Sequence, residues 1–289
     1  MTAALEDLLN VLTLERLEQN LFRGVSRDIG NPQVFGGQVL GQALVAAYST
    51  VADRPVHSLH AYFLRRGDFN APIVYEVDRS RDGHGFSSRR VVAIQHGEQI
   101  FHMAASFQVA EDGFTHQLPM PEVPPPESLR DLRDLAEGMR AQLPPAALRF
   151  LQRDTPFEFR LVEPMNVVRP VAAEPRQHVW FRAVGALPDG DALHRCLLAY
   201  VSDYHLIGTA LRPHGLSMAT PGLVVASIDH AMWFHQPVRV DDWLLYAMDS
   251  PSASGARGLA RASLFTRDGR LVASTAQEGL MRMQDRAPR

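Results

Sequence analysis

The chain has 289 residues, 46% of them hydrophobic, which suits one large globular domain or two of ordinary size with a sizeable core. Its formal net charge of −3 gives no electrostatic reason to expect nucleic acid as a partner. The single cysteine, Cys196, excludes an internal disulfide and a CxxC pair, and the absence of lysine excludes a lysine Schiff base and a Walker-A lysine.

The apolar windows and the termini bear on where the protein works. No window approaches the roughly 18 uninterrupted apolar residues of a membrane span. The N-terminus lacks the basic start and apolar run of a signal peptide, and the last residues are not a peroxisomal Ser-Lys-Leu signal. We therefore expect a cytoplasmic protein with no membrane span.

The first half of the chain predicts one buried helix and several strands. Apolar residues recur at helical spacing from Leu5 to Leu17, and a strand-like stretch follows at residues 20–25. After a turn at residues 28–32, a helix of mostly apolar and small residues begins at Gln38 and runs to Tyr48. Strands are predicted at residues 57–64, 73–79, 86–95 and 99–109. This order predicts an antiparallel sheet wrapped around the helix.

A proline-rich segment divides the chain. Residues 119–165 contain clustered prolines and one charged stretch with apolar residues at helical spacing, which predicts a linker with short helices. The predicted units are residues 1–118 and residues 166–289.

The second half repeats the pattern of the first. Three blocks recur in the same order, at offsets of 167, 170 and 171 residues. The paired blocks are Leu40–Leu44 with Ile207–Leu211, His60–Phe63 with His230–Trp233, and Ile100–Ala105 with Leu271–Ala276. Three colinear blocks predict two copies of one helix-plus-sheet unit.

Four longer motifs carry a family resemblance. They are QVFGGQ at residues 33–38, SIDHAMWFH at 227–235, SASGARG at 252–258 and STAQEG at 274–279. Together they resemble the acyl-CoA thioesterase II family over almost the whole chain. The resemblance implies an α+β double hotdog fold with two joined sheets, and hydrolysis of fatty acyl-CoA without a metal, a cofactor or a covalent intermediate. It places the family's catalytic residues on Asp203, Ser227 and Gln277, in the C-terminal unit.

Thioester hydrolysis gives these three side chains a chemical purpose. The reaction needs an oriented water, a base for its proton and donors for the developing oxyanion. Asp203 can accept the proton, and Ser227 and Gln277 can hold the water. Asp203 precedes the apolar run 206–211, so we expect it in or near the first turn of the buried second-half helix, whose N–H groups would form the oxyanion site.

Simpler interpretations exist for each polar residue. Asp203 suits a helix cap, and Ser227 suits a strand hydroxyl bonded to backbone. A long amide such as Gln277 needs partners if it is buried in its apolar setting. Asp229 and His230 suggest a catalytic pair, although adjacent strand residues point to opposite faces.

Two further side chains have ordinary explanations of their own. Arg257 suits a structural ion pair at least as well as a contact to a CoA phosphate. Cys196 suits a small core residue better than a nucleophile.

The repeat gives each candidate catalytic residue a counterpart in the first half of the chain. Asp203, Ser227 and Gln277 correspond to Gly36, His57 and Ser106, so we expect one working site per chain, with the first half supplying acyl-pocket or CoA-binding surface.

The alternatives are a hotdog enoyl-CoA hydratase, for which Asp203 and His205 would be a weak signature, and a non-catalytic acyl-CoA-binding protein. A homo-oligomer is also expected, because large sheets with apolar backs often associate.

Overall fold

The computed structural model describes residues 2–29, 33–138, 140, 148, 153–163 and 169–284. The predicted turn at residues 28–32 and the C-terminal residues 285–289 lie partly or wholly outside these ranges. The first half contains α1 (Ala3–Leu12), β1 (Glu15–Glu18), β2 (Leu21–Gly24), α2 (Gly36–Tyr48), β3 (Val56–Phe63), β4 (Ile73–Asp82), β5 (Phe86–Gln95) and β6 (Glu98–Gln108).

The connecting segment and the second half contain the remaining helices and strands. After a 3-10 helix (Pro126–Ser128) and α3 (Leu132–Gly138) come β7 (Phe157–Leu161), β8 (Arg176–Ala183), α4 (Asp191–Val201) and a second 3-10 helix (Ile207–His214). The last strands are β9 (Leu223–Ser227), β10 (Asp229–Phe234), β11 (Leu244–Ser254), β12 (Arg257–Thr266) and β13 (Leu271–Met283). Within the described ranges, no helix combines the length and the apolar character needed to cross a bilayer.

The strands form one continuous antiparallel sheet, as predicted. The described residues make a 13-stranded sheet in the order β1-β2-β4-β5-β6-β3-β10-β13-β12-β11-β8-β7, with β9 paired to β13. This order reads as a palindrome about the junction of β3 and β10, where His230 pairs with Ala61 and Ala231 with His60. The palindrome shows two units of like topology whose sheets are joined, as in a double hotdog.

The first helix is shorter than predicted. It ends at Leu12, and Thr13 adopts an extended backbone conformation. Leu17, the last residue of the predicted helix, lies in β1 and is 43% exposed. The apolar spacing continued past the helix, but pairing of β1 with β2 decides the conformation there.

The helix of the second half also differs from the prediction. The counterpart of α2 in the palindrome is α4, which precedes Asp203, whereas residues 207–214 form a 3-10 helix. The pairing of Leu40–Leu44 with Ile207–Leu211 was therefore wrong, and Asp203 does not lie in the first turn of the buried helix. The apolar run at 206–211 resembled helix α2 in composition, but α4 carries the buried face from His194 to Val201.

The two buried helices pack against each other in opposite directions. A Cβ atom added at Gly41 would lie 3.4 Å from the carbonyl oxygen of Cys196, and one added at Gly37 would collide with that of Tyr200. Residue numbers thus rise along α2 as they fall along α4. This antiparallel packing brings the C-terminal end of α4 to the N-terminal end of α2.

The second-half sheet begins inside the segment predicted as a linker. Strand β7 lies within residues 119–165 and pairs with β8, for example Phe159 with Phe181. Upstream, the indole N–H of Trp180 donates to the carbonyl of Pro124 at 2.9 Å. Part of the proline-rich segment therefore packs onto the C-terminal half of the sheet.

Candidate active site

Asp203 lies where the two buried helices meet. It follows Val201, the last residue of α4, with Ser202 between them. Its Oδ2 accepts a hydrogen bond of 2.9 Å from the backbone N–H of Gly37, in the first turn of α2. The N-terminal half of the chain thus contributes a backbone group to a carboxylate of the C-terminal half.

Gln277 and Ser227 complete a compact polar cluster around this carboxylate. Gln277 is fully buried on β13, and its Nε2 donates to Asp203 Oδ1 at 2.7 Å and to Ser227 Oγ at 3.1 Å. Ser227 ends β9 and hydrogen bonds through its hydroxyl to Asp203. The three predicted residues therefore lie in mutual contact, although 74 residues separate Asp203 from Gln277 in the sequence.

The surroundings of Asp203 set its proton affinity. Burial raises the pKa of Asp203 to about 6, against the opposing effect of the hydrogen bonds from Gln277, Gly37 and Ser227. A carboxyl group with this pKa is ionised at neutral pH, yet takes up a proton more readily than an ordinary aspartate. Such a pKa suits a general base working near neutral pH.

The start of α2 approaches the carboxylate closely because two glycines stand there. A Cβ atom at Gly36 would lie 2.7 Å from Asp203 Oδ2 and 3.0 Å from the ring of Phe63. The first N–H groups of an α-helix have no partner within the helix. They carry the positive end of the helix dipole toward the cluster, which favours negative charge there.

Aromatic side chains surround the polar cluster on the side of the α2 N-terminus. The ring of Phe35 lies 4.6 Å from that of Tyr204 and 5.3 Å from that of Tyr200. Phe159 of β7 stacks obliquely on Tyr204 at 5.2 Å. Residues of both halves and of the segment before β8 therefore form an apolar wall beside the carboxylate.

His230, which the sequence suggested only as a partner of Asp229, lies beside the polar cluster. His230 is fully buried on β10, and its Nδ1 lies 3.3 Å from Gln277 Nε2. Its neighbour Asp229 lies on the other face of the strand, where its carboxylate accepts from the backbone N–H of Glu278 at 2.6 Å. Successive side chains of a strand point to opposite faces, so Asp229 and His230 are separated, as predicted. His230 is the one that faces the polar cluster.

Other candidates from the sequence make contacts away from the polar cluster or pack in the core. Arg257 forms an ion pair with Glu278 at 2.8 Å. Cys196 is buried in the core, where burial raises the pKa of its thiol. His205 packs its ring on Phe159 at 5.0 Å, and burial lowers its pKa to about 4.

The site can orient a small nucleophile beside an apolar surface. It combines a carboxylate poised to accept a proton, a hydroxyl, a buried amide and the N-terminal end of a helix. This is the set of groups that water attack on a thioester requires. The predicted oxyanion position changes, because the helix N-terminus at the site belongs to α2 and not to the helix of the second half.

Comparisons with known proteins agree with the sequence motifs. A family profile described as acyl-CoA thioesterase matches residues 149–280, and one described as acyl-CoA thioesterase N-terminal domain matches residues 25–108. Acyl-CoA thioesterase 2 of Haemophilus influenzae is 43% identical over 99% of this chain and 100% of its own length. Human acyl-coenzyme A thioesterase 8 is 44% identical over 95% of this chain and 88% of its own length.

A solved structure gives the same likeness in three dimensions. The acyl-CoA thioesterase II TesB2 of Mycobacterium marinum superposes with a TM-score of 0.79 at 43% identity, covering 98% of this chain and 100% of that one. A hot dog fold protein from Alicyclobacillus acidocaldarius superposes with a TM-score of 0.76 at 19% identity, which supports the fold alone.

Proposed function

Since the chain belongs to the acyl-CoA thioesterase family and is a thioester hydrolase, we propose that it cleaves fatty acyl-CoA by direct attack of a water held by Asp203, Ser227 and Gln277. The observation that carries the proposal is the position of Gln277 Nε2, 2.7 Å from Asp203 and 3.1 Å from Ser227. Burying an amide, a carboxylate and a hydroxyl together costs free energy, because each group loses its contact with water. A purely structural role therefore explains this cluster poorly.

In the proposed mechanism Asp203 acts as the general base. The water gives a proton to the carboxylate as its oxygen bonds to the thioester carbon, and the carbonyl π electrons move onto the oxygen. The tetrahedral intermediate then collapses, the carbon–sulfur bond breaks, and the proton passes from Asp203 to the sulfur. The products are a fatty acid and CoA thiol. Asp203 is ionised again as soon as its proton has passed to the sulfur, and the fatty acid then releases its own proton to solvent.

The developing oxyanion is placed at the N-terminal end of α2. The positive end of the α2 dipole stabilises negative charge there. The half-buried rings of Phe35 and Tyr204 supply an apolar surface for the acyl chain, backed by the buried rings of Tyr200 and Phe159. This surface supports a fatty acyl substrate over a small polar one.

The experiment is release of free CoA thiol from a series of short to long acyl-CoAs. Asp203→Asn should lower the rate on the order of 100-fold or more, because the base is lost. Asp229→Asn is the matched control, since its retained amide oxygen can still accept from the Glu278 N–H, and it should keep nearly the wild-type rate. Equal folded concentrations are checked by circular dichroism and thermal melting.

The rival functions give different outcomes in the same assay. Loss of enoyl absorbance without thiol release would identify a hydratase, and tight acyl-CoA binding without turnover would identify a binding protein. More than about a tenth of the wild-type rate in Asp203→Asn would remove Asp203 as the base. A cytoplasmic location and a homo-oligomeric state stay predictions, which fractionation and light scattering test.

A further inference from the structure

The ring of His230 touches three polar side chains behind the candidate site. Its Nε2 lies 3.0 Å from Ser202 Oγ and 3.0 Å from Thr275 Oγ1, and its Nδ1 lies 3.3 Å from Gln277 Nε2. The ring is 0% exposed. The ring meets the three proposed catalytic residues through Gln277, so its effect on the reaction passes through that side chain.

The two hydroxyl groups determine which ring nitrogen carries the proton. Ser202 Oγ donates its hydrogen to the carbonyl of Ala199 at 2.9 Å, and Thr275 Oγ1 donates to that of Ala231 at 2.8 Å. A hydroxyl has one hydrogen, so both oxygens meet the ring as acceptors. Nε2 must then be the donor, shared between them, and a neutral ring leaves Nδ1 with a lone pair.

The ring stays in this neutral form over the working pH range. Burial lowers the pKa of His230 to about 3. The lone pair on Nδ1 is thus a permanent acceptor facing the Gln277 side chain.

A permanent acceptor at this point selects one orientation of the Gln277 amide. In this orientation the two hydrogens of the Gln277 NH2 group serve three acceptors. One hydrogen goes to Asp203 Oδ1 at 2.7 Å, and the other is shared between Ser227 Oγ at 3.1 Å and His230 Nδ1 at 3.3 Å. A flipped amide would set Oε1 against the lone pair of Nδ1 and against a carboxylate oxygen. Asp203 enforces the orientation while it is ionised, but after taking up a proton it could donate to Oε1 and favour the flip. His230 does not change its protonation and opposes the flip throughout.

We infer that His230 is a positioning residue, which as the Nε2–H tautomer holds the Gln277 amide with its NH2 toward Asp203 and its Oε1 free to accept from the attacking water. The inference rests on the proposed function of Gln277. It is supported by the Oε1 atom itself, which is buried and has no hydrogen-bond partner in the part of the chain that the structure describes. An acceptor in that state is suited to a water molecule.

Two substitutions separate this role from simple packing. In His230→Asn the amide oxygen can stand near the former Nδ1, so an acceptor for Gln277 is retained, while the contacts to Ser202 and Thr275 are lost. In His230→Gln the longer side chain can reach Ser202 and Thr275, but it has no acceptor at the Nδ1 position. His235→Gln is the matched control, because His235 is exposed and bonds to Ser274 instead.

The measurements are kcat and KM for thiol release from a long-chain acyl-CoA. His230→Gln should lower kcat by about 10- to 100-fold with KM nearly unchanged, since a displaced water attacks poorly while binding is intact. His230→Asn and His235→Gln should keep kcat within about threefold of wild type. Equal losses in Asn and Gln, or a larger loss in Asn, would assign His230 to packing alone.

A second measurement does not depend on how the variants fold. Long-range 15N–1H NMR of the wild-type imidazoles identifies the tautomer, and the proton is expected on Nε2 of His230. A proton on Nδ1, or a charged ring at neutral pH, would overturn the inference. Wild-type protein that releases no thiol would overturn the proposed function itself, whereas an active wild type with fully active His230 variants would overturn the role of His230 alone.

Discussion

The carboxylate of Asp203 and the backbone N–H of Gly37 are hydrogen bonded at 2.9 Å, although 166 residues separate them in the chain. The bond joins the end of α4 to the start of α2, and so it ties the half that carries the proposed base to the other half at the candidate site. The first half therefore contributes to the candidate site itself, because it holds one oxygen of the proposed base.

The raised pKa of Asp203 predicts an acid limb in the rate profile. The base works in its ionised form, and its pKa is raised to about 6. The rate should be constant above that pH and should fall about tenfold for each pH unit well below it, as protons neutralise the carboxylate. The measurement is kcat/KM for thiol release from pH 4.5 to pH 8. A rate that is still constant at pH 5 would show that a carboxylate of ordinary pKa controls the reaction.

A methyl group at Gly36 should disturb the site directly. Its Cβ would lie 2.7 Å from Asp203 Oδ2, so either the carboxylate or the start of α2 must move. We expect Gly36→Ala to lower kcat by about 100-fold, the cost of a displacement near 1 Å. Gly208→Ala is the matched control, because a Cβ there meets nothing within 4 Å.

The control also decides how the Gly36 result is interpreted. Thermal melting of both variants shows whether the fold is retained. A fully active Gly36→Ala variant would mean that the close approach of α2 to Asp203 has no part in catalysis.

Replacing Gln277 should shift the acid limb of the pH–rate profile to higher pH, by different amounts in two variants. Gln277→Met removes a hydrogen bond that lowers the pKa of Asp203, so the limb should move to higher pH. Gln277→Glu adds a second carboxylate near Asp203, where the amide nitrogen stood at 2.7 Å, and the two groups would share a proton. The limb should therefore lie at higher pH in Gln277→Glu than in Gln277→Met. The reverse order in the pH profiles would contradict the contact between Gln277 and Asp203.

A buried amide away from the site predicts a loss of stability without a loss of chemistry. Gln42 on α2 is 0% exposed, donates to the carbonyls of Val11 at 2.6 Å and Val25 at 2.9 Å, and accepts from the hydroxyl of Tyr75 at 2.7 Å. Gln42→Leu leaves these three groups unpaired, which should lower the free energy of unfolding by about 3 kcal/mol or more.

Tyr75→Phe is the graded comparison for Gln42. It removes one of the three bonds and should cost about 1 kcal/mol. Urea unfolding measures both values, and kcat per folded molecule should stay at the wild-type level. A variant of unchanged stability and low kcat would place Gln42 in the catalytic site.

The local elements of the fold were largely predictable. The helix starting near Gln38 and the strand at residues 86–95 match α2 and β5, because each has a clear hydrophobic period and turn residues at its ends. Helix α4 was missed, since its sequence mixes His194 and Arg195 with apolar residues and its burial comes from packing against α2. The apolar run after Asp203 was the stronger local signal, and it forms a 3-10 helix.

The three side chains of the candidate site could be named from the sequence, whereas its backbone contact could not. Asp203, Ser227 and Gln277 were assigned from the family resemblance, and the fold brings them together. The contribution of Gly37 depends on the antiparallel packing of two helices from different halves, which no local pattern contains. The approach of His230 to Gln277 depends in the same way on the pairing of β10 with β13.

The junction of β3 and β10 has a consequence for any attempt to separate the two units. Each strand lies at the inner border of its own half-sheet, where Asp229 pairs with Tyr62 and Trp233 with Ser58. Cutting the chain between the units would leave both borders with unpaired N–H and C=O groups, a template for recruiting further strands. Either fragment made alone should therefore tend to aggregate or to pair with a second copy of itself, and mixing the two fragments should restore a one-to-one complex.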